Sequence, residues 1–218
     1  MMRSDSDIKR DVEEELRWDP DIDATDIAVA VKDGVVTLAG FVRRFYDKFQ
    51  AEADAKRVDG VVGLANDLEV RLPGSDKRPD PEIVRDAIAA IASQLPAQAE
   101  NIKVIAKAGW ITLEGEVEWN YQRERAETAV RWLRGVKGIT NLIRLKPQVA
   151  ATEIKRKIAE ALRRSAEIDA SRVTVETDGH SIVLKGTVRS WAEREQAERA
   201  AWSAPGVTHV ENRIVISP

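Results

Sequence analysis

Cysteine is absent from the 218 residues, so neither a disulfide framework nor thiolate chemistry is available. Histidine occurs only as His180 and His209, and two ligands without a third make a poor zinc site. No apolar run reaches the length of a membrane-spanning helix. The opening, Met1-Met2-Arg3-Ser4-Asp5-Ser6-Asp7, leads into a charged stretch without the apolar segment of a secretory signal, so a cytoplasmic location is expected. Aromatic residues are only 5% of the chain, yet six of them are tryptophans, at 18, 110, 119, 132, 191 and 202. Charge of one sign is also lacking: the net is −3, which argues against a dedicated nucleic-acid binder.

What is present is a repeat. The first copy reads Ile27-x-Val29-x-Val31-x-Asp33-Gly34-x-Val36-x-Leu38-x-Gly40-x-Val42, then Gly60-Val61, Leu64, Asn66, Leu68 and Val70. The second has Ile102, Val104, Gly109, Ile111, Leu113, Gly115 and Val117, then Gly135-Val136, Ile139, Asn141 and Ile143. The third has Val173, Val175, Asp178-Gly179, Leu184, Gly186 and Val188, then Gly206-Val207, Val210, Asn212 and Ile214. A long period kept this closely means three copies of one small domain. The expected division is 1–72, a linker at 73–80, 81–146, a linker at 147–151, and 152–218. The copies differ in charge: residues 1–76 carry 11 Lys+Arg against 18 Asp+Glu, residues 77–147 carry 12 against 9, and residues 148–218 carry 11 against 10.

Each copy opens with an apolar row at helical spacing: Ile8, Val12, Leu16; Ile83, Ala87, Ile91; Ile154, Ile158, Leu162. Ser6, Asp80 (followed by Pro81) and Thr152 are the expected N-caps. Alternation around a turn then predicts a strand hairpin, with Asp33-Gly34, Ala108-Gly109 and Asp178-Gly179 as turn residues. The third copy has one extra residue between Gly179 and Gly186, which reads as a bulge or longer loop. A second helix buries a row of small residues: Ala51, Ala55, Val58; Ala126, Val130, Leu133; Ala197, Ala201, Ala204. Its remaining positions are charged and are expected to face water. A third strand follows. The fold class is therefore α+β: three tandem αββαβ units, each a three-stranded mixed sheet with two helices on one face. The other face is open. In the first copy it includes Val35, Thr37, Ala39 and Phe41; in the second, Ile105, Lys107, Trp110, Thr112, Glu114 and Leu142; in the third, Thr174, Glu176, Lys185, Thr187, Arg213 and Val215. An apolar open face usually has a partner, often a neighbouring repeat.

The pattern of Asp21-x-Asp23, I-x-V, G-x-V-x-L-x-G-x-V, a small-residue helix and G-V-x-x-V-x-N resembles the BON domain, named for bacterial OsmY and nodulation proteins. The resemblance extends over about residues 6–71, 81–146 and 152–217. It implies an αββαβ fold, a role in osmotic or envelope stress, a proposed phospholipid contact, and service as an accessory module. It brings no catalytic residues and no cofactor. Members of that family usually work in the periplasm, and some cytosolic relatives sense potassium through a further module.

No candidate nucleophile, acid–base pair or metal cluster recurs in the three copies, so a binding protein is expected rather than an enzyme. Asp19, Asp21, Asp23 and Asp26 are spaced like the start of a calcium loop, but Ala24 and Ala30 stand where its Gly and Glu belong. Gly60-x-x-Gly63 and Gly135-x-x-Gly138 match a phosphate-clamping GXXG loop only in spacing, and read as turns. Asn66, Asn141 and Asn212 read as structural amides. Trp110, Lys107, Phe41 and Val35 are the candidate binding residues, because strand alternation points them away from the helices. The expected function is stress-associated binding or adaptation, with a protein or an anionic phospholipid surface as partner. The alternatives are a self-associating scaffold without lipid binding and a cytosolic ion-responsive binding protein.

Overall fold

The computed structural model describes residues 3–146, 154–165 and 170–217. The first unit contains α1 (Asp5–Trp18), β1 (Ile27–Lys32), β2 (Val35–Val42), α2 (Phe45–Arg57) and β3 (Gly63–Val70). The second contains α3 (Asp80–Gln94), β4 (Ile102–Lys107), β5 (Trp110–Val117), α4 (Asn120–Arg131) and β6 (Gly138–Leu145). The third contains α5 (Ile154–Arg164), β7 (Val173–Asp178), β8 (Ser181–Val188), α6 (Trp191–Trp202) and β9 (His209–Ile216). In each sheet the middle strand pairs antiparallel with the strand before it and parallel with the strand after α2, α4 or α6.

The helical rows become the cores. Ile8, Val12 and Leu16 pack with Val36, Leu38, Ala51, Ala55 and Leu68, all buried. The same positions build separate cores in the second and third units. Small residues on α2, α4 and α6 let each helix lie close to its sheet. A side chain at the third position of each helix fixes its start. Asp47 accepts from the Arg44 amide, Gln122 from the amides of Glu118 and Trp119, and Glu193 from the Arg189 amide.

Some helix starts differ from expectation. Ser4, not Ser6, caps α1, accepting from the Asp7 amide, and Ser6 lies inside the helix. Asp80 is the first residue of α3 after Pro79. Its carboxylate reaches instead to the hairpin turn, accepting from the amides of Ala108 (2.8 Å) and Gly109 (2.9 Å). Asp5 does the same for Asp33 and Gly34 in the first unit. Thr152 lies outside the described residues, as does the 147–151 linker.

The third hairpin carries no bulge. Asp178 pairs with Ser181 as Lys32 pairs with Val35, so the turn is Gly179-His180 rather than Asp178-Gly179. His180 takes the place of Gly34, and its carbonyl accepts from the Thr208 amide as that of Gly34 does from Val62. In the first two turns both central residues have positive φ (Asp33 52°, Gly34 75°; Ala108 52°, Gly109 84°), the I′ geometry that matches strand twist. In the third, only Gly179 does, so His180 is tolerated.

Two further expectations are corrected. Among the described residues the contacts between repeats run through the outer faces of the second helices, which therefore do not simply face water, and not through the open sheet faces. The units meet through those helices. Tyr46 stacks on Trp132, and the Arg131 guanidinium lies 3.5 Å from the centroid of Phe49, joining the first and second units. Lys56 lies over Trp191, which packs against the cores of both the first and third units. Arg123 lies over Trp202, joining the second and third. The long cationic stems cover aromatic surface while their charges stay near carboxylates.

Candidate functional site: the open sheet faces

With the helices gathered inward, each sheet turns its other face outward. Strand register fixes the rows that cross it. In the first unit these are Ala28–Ala39–Asp67, Ala30–Thr37–Ala65 and Lys32–Val35–Gly63. Val35 is 43% exposed, and Phe41 is half-buried under the Arg71 guanidinium. Apart from Lys32 at one end and Asp67 at the other, these rows carry nothing longer than Val or Thr, so the face is nearly flat.

In the second unit the matching rows are Lys103–Glu114–Leu142, Ile105–Thr112–Thr140 and Lys107–Trp110–Gly138. Trp110 is 55% exposed, and Ile105 and Leu142 are similarly open. The indole lies on the backbone of Gly138: a Cβ there would sit 2.3 Å from the ring. Gly138, part of the GXXG spacing, thus makes room for a bulky neighbour on a flat strand. Lys107 lies beside Trp110 in register, and Lys103 borders the same face. In the third unit the face is polar, with ion pairs between Lys185 and Glu176 (2.5 Å) and between Arg213 and Glu211 (2.6 Å).

The four candidate binding residues thus fall on two faces, Val35 and Phe41 on one, Lys107 and Trp110 on the other. The structure does not bring them into a single site. Sequence reading missed Ala28, Ala30 and Ala65, which complete the flat face; the signal was alternation in β1 and β3, read only along β2.

The repeated residues work inside the units. Asn66 donates to the Lys48 carbonyl and Glu52 while its own carbonyl accepts from the Leu68 amide, stitching α2 to β3. Asn141 and Asn212 repeat the pattern with Arg123, Glu127 and Ile143, and with Arg194, Glu198 and Ile214. Glu52, Glu127 and Glu198 recur 14 residues before each Asn, a signal the sequence held. Gly40, Gly115 and Gly186 have φ of 121°, 145° and 131°, and a Cβ at each would approach a backbone carbonyl to about 2 Å. Gly60, Gly135 and Gly206 all turn with φ of 89°.

The acidic loop is likewise used locally. Asp19 accepts from the Asp21 amide and from Gln50, and Asp23 accepts from the Thr25 amide. The Asp21 amide holds the Asp19 carboxyl below the usual range, and the Thr25 hydroxyl, with the Thr25 amide, does the same for Asp23. Among the described residues no group of three His, Cys, Asp or Glu could hold a metal. His180 bonds the Gly206 carbonyl through Nδ1 at 2.6 Å, and His209 opens β9. Asp54 is the unusual acid. It is buried on α2, and burial pushes its carboxyl up to about 6 against the pull of Arg57 at 2.7 Å. Asp19 nearby adds like charge, while Gln50 donates to both carboxylates. Among the described residues no helix is long and apolar enough to cross a membrane.

The BON domain model matches this chain three times, over residues 4–71, 80–147 and 150–218. The osmotically-inducible protein Y of Escherichia coli (strain K12) is 32% identical over 146 residues, covering 65% of this chain and 73% of that protein. Among solved structures, CdsD, a structural protein of the type III secretion system of Chlamydia trachomatis, is 14% identical with a TM-score of 0.28, covering 97% of this chain and 93% of that one. A second structure, of the CdsD C-terminal domain, has the same identity and TM-score over 99% of this chain and all of that one.

Proposed function

Since the chain belongs to the BON domain family, with three copies in tandem, we propose that it is a non-enzymatic, osmotic-stress-associated binding protein working through its outward sheet faces. The observation that carries this reading is the exposure of Val35, Ile105, Trp110 and Leu142 on faces that no described part of the chain covers. The stress association follows the likeness to osmotically-inducible protein Y. The absence of a recurring nucleophile or acid–base pair supports binding over catalysis.

A protein partner fits these faces better than a bilayer. The first unit holds 18 acidic against 11 basic residues over 1–76, a surface that an anionic membrane repels. Flat β-faces with apolar centres suit packing against another sheet or helix. The test replaces the gene in its host by face variants, Ala30→Glu and Trp110→Lys, and measures survival after a hyperosmotic shift. Survival near that of the deletion supports the reading. Wild-type survival of both variants, where the deletion is sensitive, overturns it. Sedimentation with zwitterionic and anionic vesicles at low and high salt checks the partner class. Salt-sensitive binding to anionic vesicles alone would move the second unit's face, with Lys103 and Lys107, to a lipid surface.

A further inference from the structure

We propose that the flat face of the first unit receives the bulky face of the second unit from another copy of this chain, joining molecules head to tail. The proposal rests on the reading of the sheet faces as contact surfaces, and it names the partner.

Shape is the first argument. The two faces share one backbone frame and one register, so their rows can be superposed. On the first unit the central rows are Ala30–Thr37–Ala65 and Lys32–Val35–Gly63; on the second they are Ile105–Thr112–Thr140 and Lys107–Trp110–Gly138. Packed sheets lie about 10 Å apart, a gap that side chains must fill. Two flat Ala/Gly faces leave that gap empty. Two bulky faces set Trp110 against its own copy. One flat and one bulky face fill the space once.

Charge is the second argument. The flat face carries Lys32 and Asp67 and is neutral, whereas the bulky face carries Lys103 and Lys107 against Glu114 and is net positive. The flanking surfaces are opposite in sign, since residues 1–76 hold 18 acidic against 11 basic residues and residues 77–147 hold 9 against 12. The third unit supplies the contrast. Its face carries the Lys185–Glu176 and Arg213–Glu211 pairs, whose desolvation would oppose burial.

Geometry sets the stoichiometry. The faces belong to different units that are joined through their helices, so one molecule engages two neighbours through two different surfaces. Such a contact leaves a free face at each end and grows into open chains unless its rotation closes a ring. A three-stranded patch is smaller than the roughly 800 Å² per partner of a stable interface, so association is weak and reversible.

Sedimentation velocity over a concentration series up to ~0.5 mM, where weak contacts of this size populate, tests the idea. Wild-type mass should rise past two chains with concentration. Ala30→Glu and Trp110→Lys should each remain monomeric. Mixed in equal amounts, they should form a dimer and stop there, because each retains the face the other has lost. Ala65→Glu and Leu142→Asp serve as second variants if circular dichroism finds either first variant unfolded. A wild type that stays monomeric overturns the proposal. So does assembly of either variant alone, or a mixture that stays monomeric while the wild type assembles. The survival assay reports separately: face variants that lose protection while the wild type stays monomeric would leave the faces as contact surfaces for another protein.

Discussion

Tyr46 of the first unit lies stacked on Trp132 of the second, with ring centroids 3.4 Å apart and planes inclined by 23°. The same tyrosine donates its hydroxyl to Gln50, which in turn holds Asp19 and Asp54. A contact between repeats is thereby tied to the polar network beneath α2.

Removing the stack should loosen that pair of units without unfolding either. Trp132→Ala is expected to cost ~0.5–1.5 kcal/mol of coupling beyond lost area. A double-mutant cycle with Tyr46→Ala, followed by thermal unfolding, measures it. Additive losses would show that the rings do not interact.

Asp54 gives a pH prediction. Its folded pKa, about 6, lies above the usual carboxylate value, so the folded state holds the proton more tightly than the unfolded one. The stability from this group is present at low pH and is lost as pH rises from about 4 through 6. Asp54→Asn removes that loss. Its melting temperature should exceed wild type at pH 7.5, and the advantage should shrink toward pH 4.5. An advantage that does not change with pH would contradict this account.

The three asparagines should differ in worth. In the third unit Arg194 also bonds the carbonyls of Asn212 and Ile214, and in the first Lys48 bonds that of Leu68. In the second, Arg123 is turned toward Trp202. Asn141→Leu should therefore be the most damaging, at about 2–3 kcal/mol, and Asn212→Leu the least. Urea unfolding of the three variants checks the order.

Two glycines with positive φ should also separate. Gly115→Ala places a Cβ 2.0 Å from the Asn101 carbonyl oxygen and cannot be absorbed without moving β4. Gly179→Ala meets nothing within 4 Å and bears only backbone strain at φ 56°. Losses above about 3 kcal/mol and near 1 kcal/mol are expected, respectively, by chemical denaturation.

The αββαβ order was legible because burial imposes periods on the chain. Ile8, Ile83 and Ile154 each stand 19 residues before the first strand residue, and all three are buried. The contacts between units were not legible, because no period encodes them. Arg123 and Arg131 read as solvated charges on α4, yet their guanidinium groups cover Trp202 and Phe49. The tryptophans that break the repeat held part of that information: Trp132, Trp191 and Trp202 join units, although Trp132 stays as exposed as Trp110. The third hairpin was misplaced by one residue because Asp-Gly is so strong a turn signal that it outweighed Gly-His beside it. At the candidate site, alternation along β2 and β5 identified Val35 and Trp110. The flat shape of the first face came from three strands at once and needed their register.

Because cohesion lies on the helical side, substitutions on the strands' outward side leave the joints between units untouched. A gene that has triplicated such a domain can therefore rewrite one contact surface at a time. The alanine plate, the tryptophan ridge and the ion-paired lawn are three independent edits of one template, made without renegotiating how the copies hold together.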